Sequence, residues 1–273
     1  MVQGMTTLAL ANQKGGVAKT TSVATLGAAL AEQGRTVLLV DLDPQASLTF
    51  SLGVDPEDLE LTIRDVLAGD CDATEAVLTT AEGVDLLPAT IELARTEAGL
   101  AARPGAAAAG VLADALAKVA GPGEEYDWVL VDCPPSLGAL TVAGLTAADA
   151  VVVPLQCETL AHRGVGQLLD TIHDVREHTN PGLRVWGVLP TMFDPRTTHA
   201  RTVLASITAT YGLEVVGKPI PRTVRFAEAP TLGLTLLSTP PRSRAADAYR
   251  AVARELVELA GDEAAEDEAP AGV

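Results

Sequence analysis

The sequence predicts an α/β fold, one domain in which a mostly parallel, twisted sheet is covered by helices on both faces. Three observations carry this. Short runs rich in Val and Leu alternate with Ala-rich helical stretches, the pattern of strands buried on both faces and joined by crossover helices. The first two runs enclose one clear helix, so that residues 7–41 form a complete strand, loop, helix, strand unit, for which a right-handed crossover is expected. No internal repeat and no Pro/Gly/Ser-rich linker divides the 273 residues, whose 48% hydrophobic content suffices for one large core.

In chain order, strands are expected over residues 7–11, 36–41, 84–87, 128–132, 150–154 and 184–189, each a short apolar run ending in a polar residue, a proline or a turn. The first helix is expected over about 19–33, closed by Gly34 where the chain commonly needs a positive φ. The Ala run from Ala106 to Ala109 lies in a helical context, and residues 121–125 are expected to form a loop before a strand. The domain is expected to span residues 1–260. Residues 261–273, acidic, small and proline-containing, are expected to form a disordered tail.

Composition narrows the function. No apolar run approaches the ~20 residues of a membrane helix, and no basic segment followed by an apolar stretch opens the chain, so a cytoplasmic address is expected. Cys71, Cys133 and Cys157 are odd in number and contain no CxxC pair, which argues against a disulfide framework or a cysteine metal site. His162, His173, His178 and His199 lack metal-ligand spacing. The net charge of −17 opposes nucleic acid as a partner, yet it is unevenly spread. Residues 1–183 carry 9 basic and 25 acidic side chains, residues 184–254 carry 10 and 4, and the remainder 0 and 7. A basic stretch with a net charge of +6 therefore sits inside an acidic chain and is compatible with a local anion-binding face.

The loop after the first strand reads Asn12-Gln13-Lys14-Gly15-Gly16-Val17-Ala18-Lys19-Thr20-Thr21. A phosphate chain needs inward backbone N–H groups, glycines that let the backbone approach, a helix N-terminus, a lysine and a hydroxyl for Mg²⁺, and this loop supplies all of them. The common GxxxxGK[ST] pattern fails at both glycines, where Gln13 and Ala18 stand. A positive φ at Ala18 would cost about 1 kcal/mol. Asp41-Leu42-Asp43-Pro44-Gln45 ends the second strand at the sheet edge where open α/β folds bind ligands. There a carboxylate can hold Mg²⁺ through water or orient an attacking water, and a turn-capping role suits Asp41 better than Asp43. Trp128-Val129-Leu130-Val131-Asp132-Cys133-Pro134-Pro135-Ser136 is an apolar strand ending in a carboxylate and a rigid proline turn.

The loop matches the deviant form KGGxxK[ST], and with the two aspartate strands it resembles the ParA/MinD class of P-loop NTPases. Further matches at Val153-Pro154-Leu155-Gln156-Cys157-Glu158, Thr191-Met192-Phe193-Asp194-Pro195-Arg196-Thr197, Ile220-Pro221-Arg222-Thr223-Val224-Arg225 and Glu228-Ala229-Pro230 resemble the Soj-type partition branch, over roughly residues 6–259. The resemblance implies a slow, Mg²⁺-dependent ATPase that binds ATP and ADP through Gly15, Gly16, Val17, Ala18, Lys19, Thr20 and Thr21. It further implies Lys14 reaching across a homodimer to the partner's nucleotide, Asp43 positioning water, Mg²⁺ held by Thr20, Asp43 and Asp132, and an adenine pocket from Met192, Pro221 and Thr223. Arg196, Arg222, Arg225, Arg242 and Arg244 are the arginines it implies for gripping DNA phosphates without reading sequence.

The expected function is thus an ATP-switched dimer that binds non-specific DNA, is stimulated by a ParB-like partner and serves chromosome or plasmid segregation at the nucleoid. A MinD-like positioning ATPase is an alternative, but its basic amphipathic tail is absent and no stable membrane association is expected. Poorly hydrolysing adaptors of the chromosome-organising machinery, or an iron–sulfur relative, are further alternatives. The phosphate loop begins within 15 residues of Met1, so a preceding helix-turn-helix and operator binding are not expected.

Overall fold

A computed structural model describes residues 4–103, 105–119, 126–239 and 243–267, the last six of these by backbone alone. Seven strands are present among them: β1 (Thr6–Leu10), β2 (Val37–Asp41), β3 (Leu78–Thr79), β4 (Asp85–Leu87), β5 (Trp128–Asp132), β6 (Ala150–Leu155) and β7 (Arg184–Pro190). They form one sheet in the order β3-β4-β2-β5-β1-β6-β7, parallel throughout except for the β3–β4 pair. The six expected strands are all found, with ends shifted by a residue or so. β3 was not expected: two residues are too short to show an alternation.

The helices are α1 (Lys19–Ala31), α2 (Ser47–Ser51), α3 (Ile63–Ala68), α4 (Ala73–Ala76), α5 (Leu93–Ala101), α6 (Gly105–Ala109), α7 (Val111–Val119), α8 (Ala139–Ala147), α9 (Ala161–His178), α10 (Thr198–Tyr211), α11 (Arg225–Thr231) and α12 (Arg244–Asp267). Gly34 has a φ of 82° and follows α1 as expected, and the Ala run is the helix α6. Residues 121–125, expected as a loop, lie outside the described residues. The tail boundary is corrected: α12 continues from the domain through Gly261 to Asp267, because alanine and glutamate sustain a helix that is already nucleated. Residues 268–273 lie outside the described residues.

Two apolar layers flank the sheet. Alternate residues of β1, β2 and β5 point to opposite faces. Ala9, Val40 and Val131 pack with α3, α5 and α7–α10, whereas Leu8, Leu39 and Leu130 pack with α1, α2, α11 and α12. Both faces are buried, so the central strands are apolar throughout rather than alternating. α1 lies against β2 closely enough that a Cβ on Gly27 would meet Leu39 Cδ2 at 2.6 Å. α12 clamps α1 from outside through a buried hydrogen bond of 2.8 Å between the Tyr249 and Ser22 hydroxyls. No helix among the described residues is long and apolar enough to cross a membrane.

Strand order positions the chemistry. β1 lies between β5 and β6, and β5 lies between β1 and β2, with Asp41 level with Asp132 and Asp132 level with Leu10. The three motif-bearing strand ends are thereby neighbours at one edge of the sheet.

Candidate nucleotide site at the carboxyl edge of the sheet

The loop leaving β1 is fixed from both sides. Asn12, buried, donates through Nδ2 to the Pro154 carbonyl at 2.7 Å and accepts the Lys14 N–H at 2.9 Å. The Thr191 hydroxyl donates to the Val17 carbonyl at 2.8 Å. Gly16 has a φ of 73°, and Ala18, which precedes the first residue of α1, has a φ of 60° and a ψ of 35°. The conformation that the usual glycine would favour is therefore carried by alanine at a strain of about 1 kcal/mol.

A cavity of about 470 Å³ opens over this loop. Of the expected residues, Gly15, Gly16, Ala18, Lys19, Thr20, Thr21 and Asp43 line it. The Val17 side chain is buried away from it, and Lys14 points elsewhere: its ammonium meets the Glu158 carboxylate at 2.5 Å, just past β6. Gln45, Ser47, Phe50 and Ser51, the last three in α2, with Pro135 and Pro230, complete the walls. Sequence reasoning missed the three α2 residues, since an aromatic such as Phe50 is expected in a core, whereas here it is 55% exposed.

The two aspartates after β2 differ. Asp41 is fully buried and accepts from the N–H groups of Asp43 at 3.1 Å and Thr49 at 2.9 Å and from the Thr49 hydroxyl at 2.8 Å. It ties the loop into α2, the turn-capping role expected of it. Asp43 accepts from the Gln45 N–H at 2.9 Å and turns its side chain to the cavity.

Asp132, at the end of β5, is 1% exposed, and neither of its carboxylate oxygens has a hydrogen-bond partner among the described residues. Burial and then the Asp41 carboxylate push its pKa up; the Thr20 hydroxyl and Lys19 ammonium pull it down, although neither closes a hydrogen bond to it. Lys19 itself is 7% exposed, its pKa lowered by burial and raised in part by Asp132, Cys133 and Asp43. A buried carboxylate without a hydrogen bond costs about 1–3 kcal/mol even after relaxation, a cost offset by proton uptake, as the pKa pushed up to about 8 reflects, or by a bound cation. Asp132, which lies behind the cavity rather than in its lining, the Thr20 hydroxyl and Asp43 could offer a cation only oxygen donors, the chemistry that suits Mg²⁺.

Met192, Pro221 and Thr223 do not line the cavity. Met192 has a φ of 47° and follows Thr191, the anchor of Val17. Phe193 N–H donates to the Ile220 carbonyl at 2.9 Å, bridging this segment to Pro221, while the Thr223 hydroxyl accepts from the Arg225 N–H at 3.4 Å. The segment is thus attached to the rim of the loop. Arg196, Arg222 and Arg244 are exposed, Arg225 is half-buried, and among the described residues no carboxylate lies within 4 Å of any of the four; Arg242 lies outside the described residues. Near the cavity the loop after α2 touches the loop after α11. Gly53 and Gly233, with φ of 79° and 65°, are so close that a Cβ on Gly233 would stand 2.8 Å from Gly53 Cα. No group of three His, Cys, Asp or Glu suited to a metal occurs among the described residues, and all three cysteines are free.

Known proteins resemble this chain in sequence and in fold. Residues 5–185 match the AAA domain family. The chain is 43% identical over 250 residues to the sporulation initiation inhibitor protein Soj of Bacillus subtilis, covering 91% of this chain and 97% of that one. It is 45% identical over 250 residues to the chromosome-partitioning ATPase Soj of Thermus thermophilus, covering 92% and 94%. Among solved structures, a protein described as cobyrinic acid a,c-diamide synthase from Mycobacterium smegmatis, bound to ADP and magnesium, superposes with a TM-score of 0.83 at 52% identity, covering 95% of this chain and 96% of that chain. The same protein was also solved with an ATP analog and magnesium. Because these matches run through the deviant loop, both aspartate strands and the basic stretch alike, the chain belongs to the ParA/Soj family of P-loop ATPases.

Proposed function

We propose that this chain binds ATP with Mg²⁺ at the β1 loop, dimerises in that state, grips DNA without sequence preference, and releases it on hydrolysis, as a partition ATPase of a chromosome or plasmid. The observation that carries this is the proximity of Lys19, Thr20 and Asp43, which line the cavity, to Asp132, a buried carboxylate with no hydrogen-bond partner among the described residues. Mg²⁺, when bound, would neutralise charge on the phosphates. Thr20, Asp43 and Asp132 would hold it, and Lys19 and the loop glycines would hold the phosphates. Asp43, facing the cavity, orients the attacking water. Lys14, lying away from the cavity, is available to a second protomer's nucleotide once it leaves Glu158. The unpaired arginines supply the DNA contacts, and a ParB-like protein is the expected stimulator of turnover.

The diamide-synthase description of the solved relative raises amide transfer as another chemistry. Drawing ammonia from glutamine needs an activated thiolate. Here Cys133 and Cys157 are buried, their pKa values pushed up to about 12 and about 11, chiefly by burial, and Cys71 is shifted the same way. The thiols of this chain favour the partition reading.

Size-exclusion chromatography of Asp43→Ala tests it. With ATP and Mg²⁺ the variant is expected to elute as a dimer and to co-elute with non-specific duplex DNA. A monomer under every nucleotide condition would refute the switch, and binding of nucleotide-free protein to DNA would refute the ATP requirement.

A further inference from the structure

Asp43 is placed by a chain of hydrogen bonds that begins outside the nucleotide cavity. The backbone N–H of Ala89, just past the end of β4, donates to the Thr49 hydroxyl at 3.0 Å. That hydroxyl donates in turn to Asp41 Oδ2 at 2.8 Å, and the other Asp41 oxygen, Oδ1, accepts the Asp43 N–H at 3.1 Å. Ala89, Thr49 and Asp41 are all fully buried, a dry setting that strengthens each link. β4 pairs with β2, Leu87 level with Val40, so the chain starts from the sheet itself rather than from a loose loop.

The turn between Asp43 and α2 depends on these bonds. Asp43 Oδ1 accepts the Gln45 N–H at 2.9 Å, and the Asp43 carbonyl accepts the Ala46 N–H at 2.8 Å. Ala46 then enters the left-handed region, with a φ of 51° and a ψ of 34°, immediately before α2. A residue with a Cβ keeps that conformation only where its surroundings over-determine it. Asp43 fixes the turn on one side; Thr49, clasped by Asp41, fixes it on the other. α2 thus works with two faces, Ser47, Phe50 and Ser51 walling the cavity while Thr49 turns into the interior.

We propose that Thr49 is a positioning residue for ATP hydrolysis: its hydroxyl, anchored on Ala89, sets through Asp41 the place of Asp43 and hence the direction from which the attacking water is offered. This role rests on the ATPase reading above, with Asp43 orienting the water. Thr49 is absent from the lining of the cavity and serves the reaction without touching nucleotide. Two effects that a general folding defect would join are therefore separable. Lys19 and the β1 loop hold the phosphates, and the Ala89–Thr49–Asp41 chain does not bond to them; it bonds to Asp43. A carboxylate displaced by about 1 Å can cost on the order of a hundredfold in rate with binding largely kept.

Single-turnover hydrolysis by the full chain, expressed per bound ATP, tests this beside calorimetric affinity for ATP with Mg²⁺. Thr49→Val keeps the shape of the side chain and the Thr49 N–H bond to Asp41, so it removes the hydroxyl alone. It is expected to slow hydrolysis about tenfold or more while ATP affinity stays within about threefold. Thr49→Ser restores the hydroxyl and is expected to return the rate to within about threefold of wild type. Thr80→Val deletes a different buried hydroxyl bond, 2.7 Å to the Val84 carbonyl at the opposite end of β4, and is expected to leave the rate within about twofold. If Thr49→Val does not fold, Thr49→Ala takes its place with the same expected loss. A wild-type rate in the hydroxyl-free variant would overturn the proposal. Equal losses of rate and affinity, or a serine variant as slow as the valine one, would reduce Thr49 to a structural residue and overturn it too. Asp43→Ala in the same assay separates the two levels: hydrolysis as fast as wild type there would refute the water-orienting role of Asp43 itself.

Discussion

The β1 loop and the basic stretch from β7 to α12 both present cations, and they do so by opposite means. Lys19 is 7% exposed, faced by Asp132 and Asp43, and fixed by the first turn of a helix that is itself clamped by α12. Arg196, Arg222 and Arg244 stand in solvent with no carboxylate of the described residues within 4 Å. A buried, opposed cation has one geometry and one ligand; exposed unopposed cations accept any polyanion that passes, each adding a salt-sensitive increment. The first region reads as a lock and the second as a grip.

Substitutions can break this contrast. Lys19→Ala should remove the central phosphate contact and cut ATP affinity about a hundredfold or more by calorimetry, as expected for a charge-assisted bond in a partly dry site. Lys14→Ala, by contrast, should leave affinity for ATP within about threefold, because its ammonium lies on Glu158 rather than in the cavity. In the basic stretch Arg222→Ala/Arg225→Ala should weaken DNA binding gradually and lower the slope of log K against log salt by about 2, with ATP affinity unchanged. Equal loss of nucleotide binding in that pair would erase the distinction between the regions.

Smaller effects sharpen it. Asp132→Asn should abolish the rise in melting temperature given by ATP with Mg²⁺ and move the nucleotide-free protein by no more than a few degrees, at about 2–4 °C per kcal/mol for a domain of this size, because burial already pushes the Asp132 pKa up to about 8 and leaves little charge to remove at neutral pH. A full rise with ATP and Mg²⁺ in the variant would show that Asp132 is not needed to hold the cation. Ala18→Gly relieves a left-handed residue but loosens the unfolded chain, two terms of about 1 kcal/mol that oppose each other, so thermal melts should move by no more than about 2 °C.

The same contrast explains what could be foreseen from residues alone. The P-loop and the ends of β2 and β5 were legible because their chemistry is local: glycines, a lysine and aspartates at fixed offsets from apolar strands. Parallel pairing then brought those ends together, with Asp41 level with Asp132. Phe50 and Ile91 could not be foreseen, because an isolated aromatic or aliphatic residue in sequence signals burial, and their exposure depends on what the two loops after β2 and β4 leave uncovered. The pairing of Lys14 with Glu158 joins residues 144 apart and has no short-range sign. The helical end of α12 was misjudged because acidic, small-residue composition suits both a tail and a continuing helix, and the helix already under way decided between them.

Gly53 and Gly233 meet backbone to backbone, with no side chain between them to take up slack. One follows the helix behind Asp43; the other follows the helix that begins at Arg225. The two segments mesh like gear teeth, so that a shift of one must be taken up by the other, and a methyl group at Gly233, only 2.8 Å from Gly53 Cα, would act as a spacer that forces them apart.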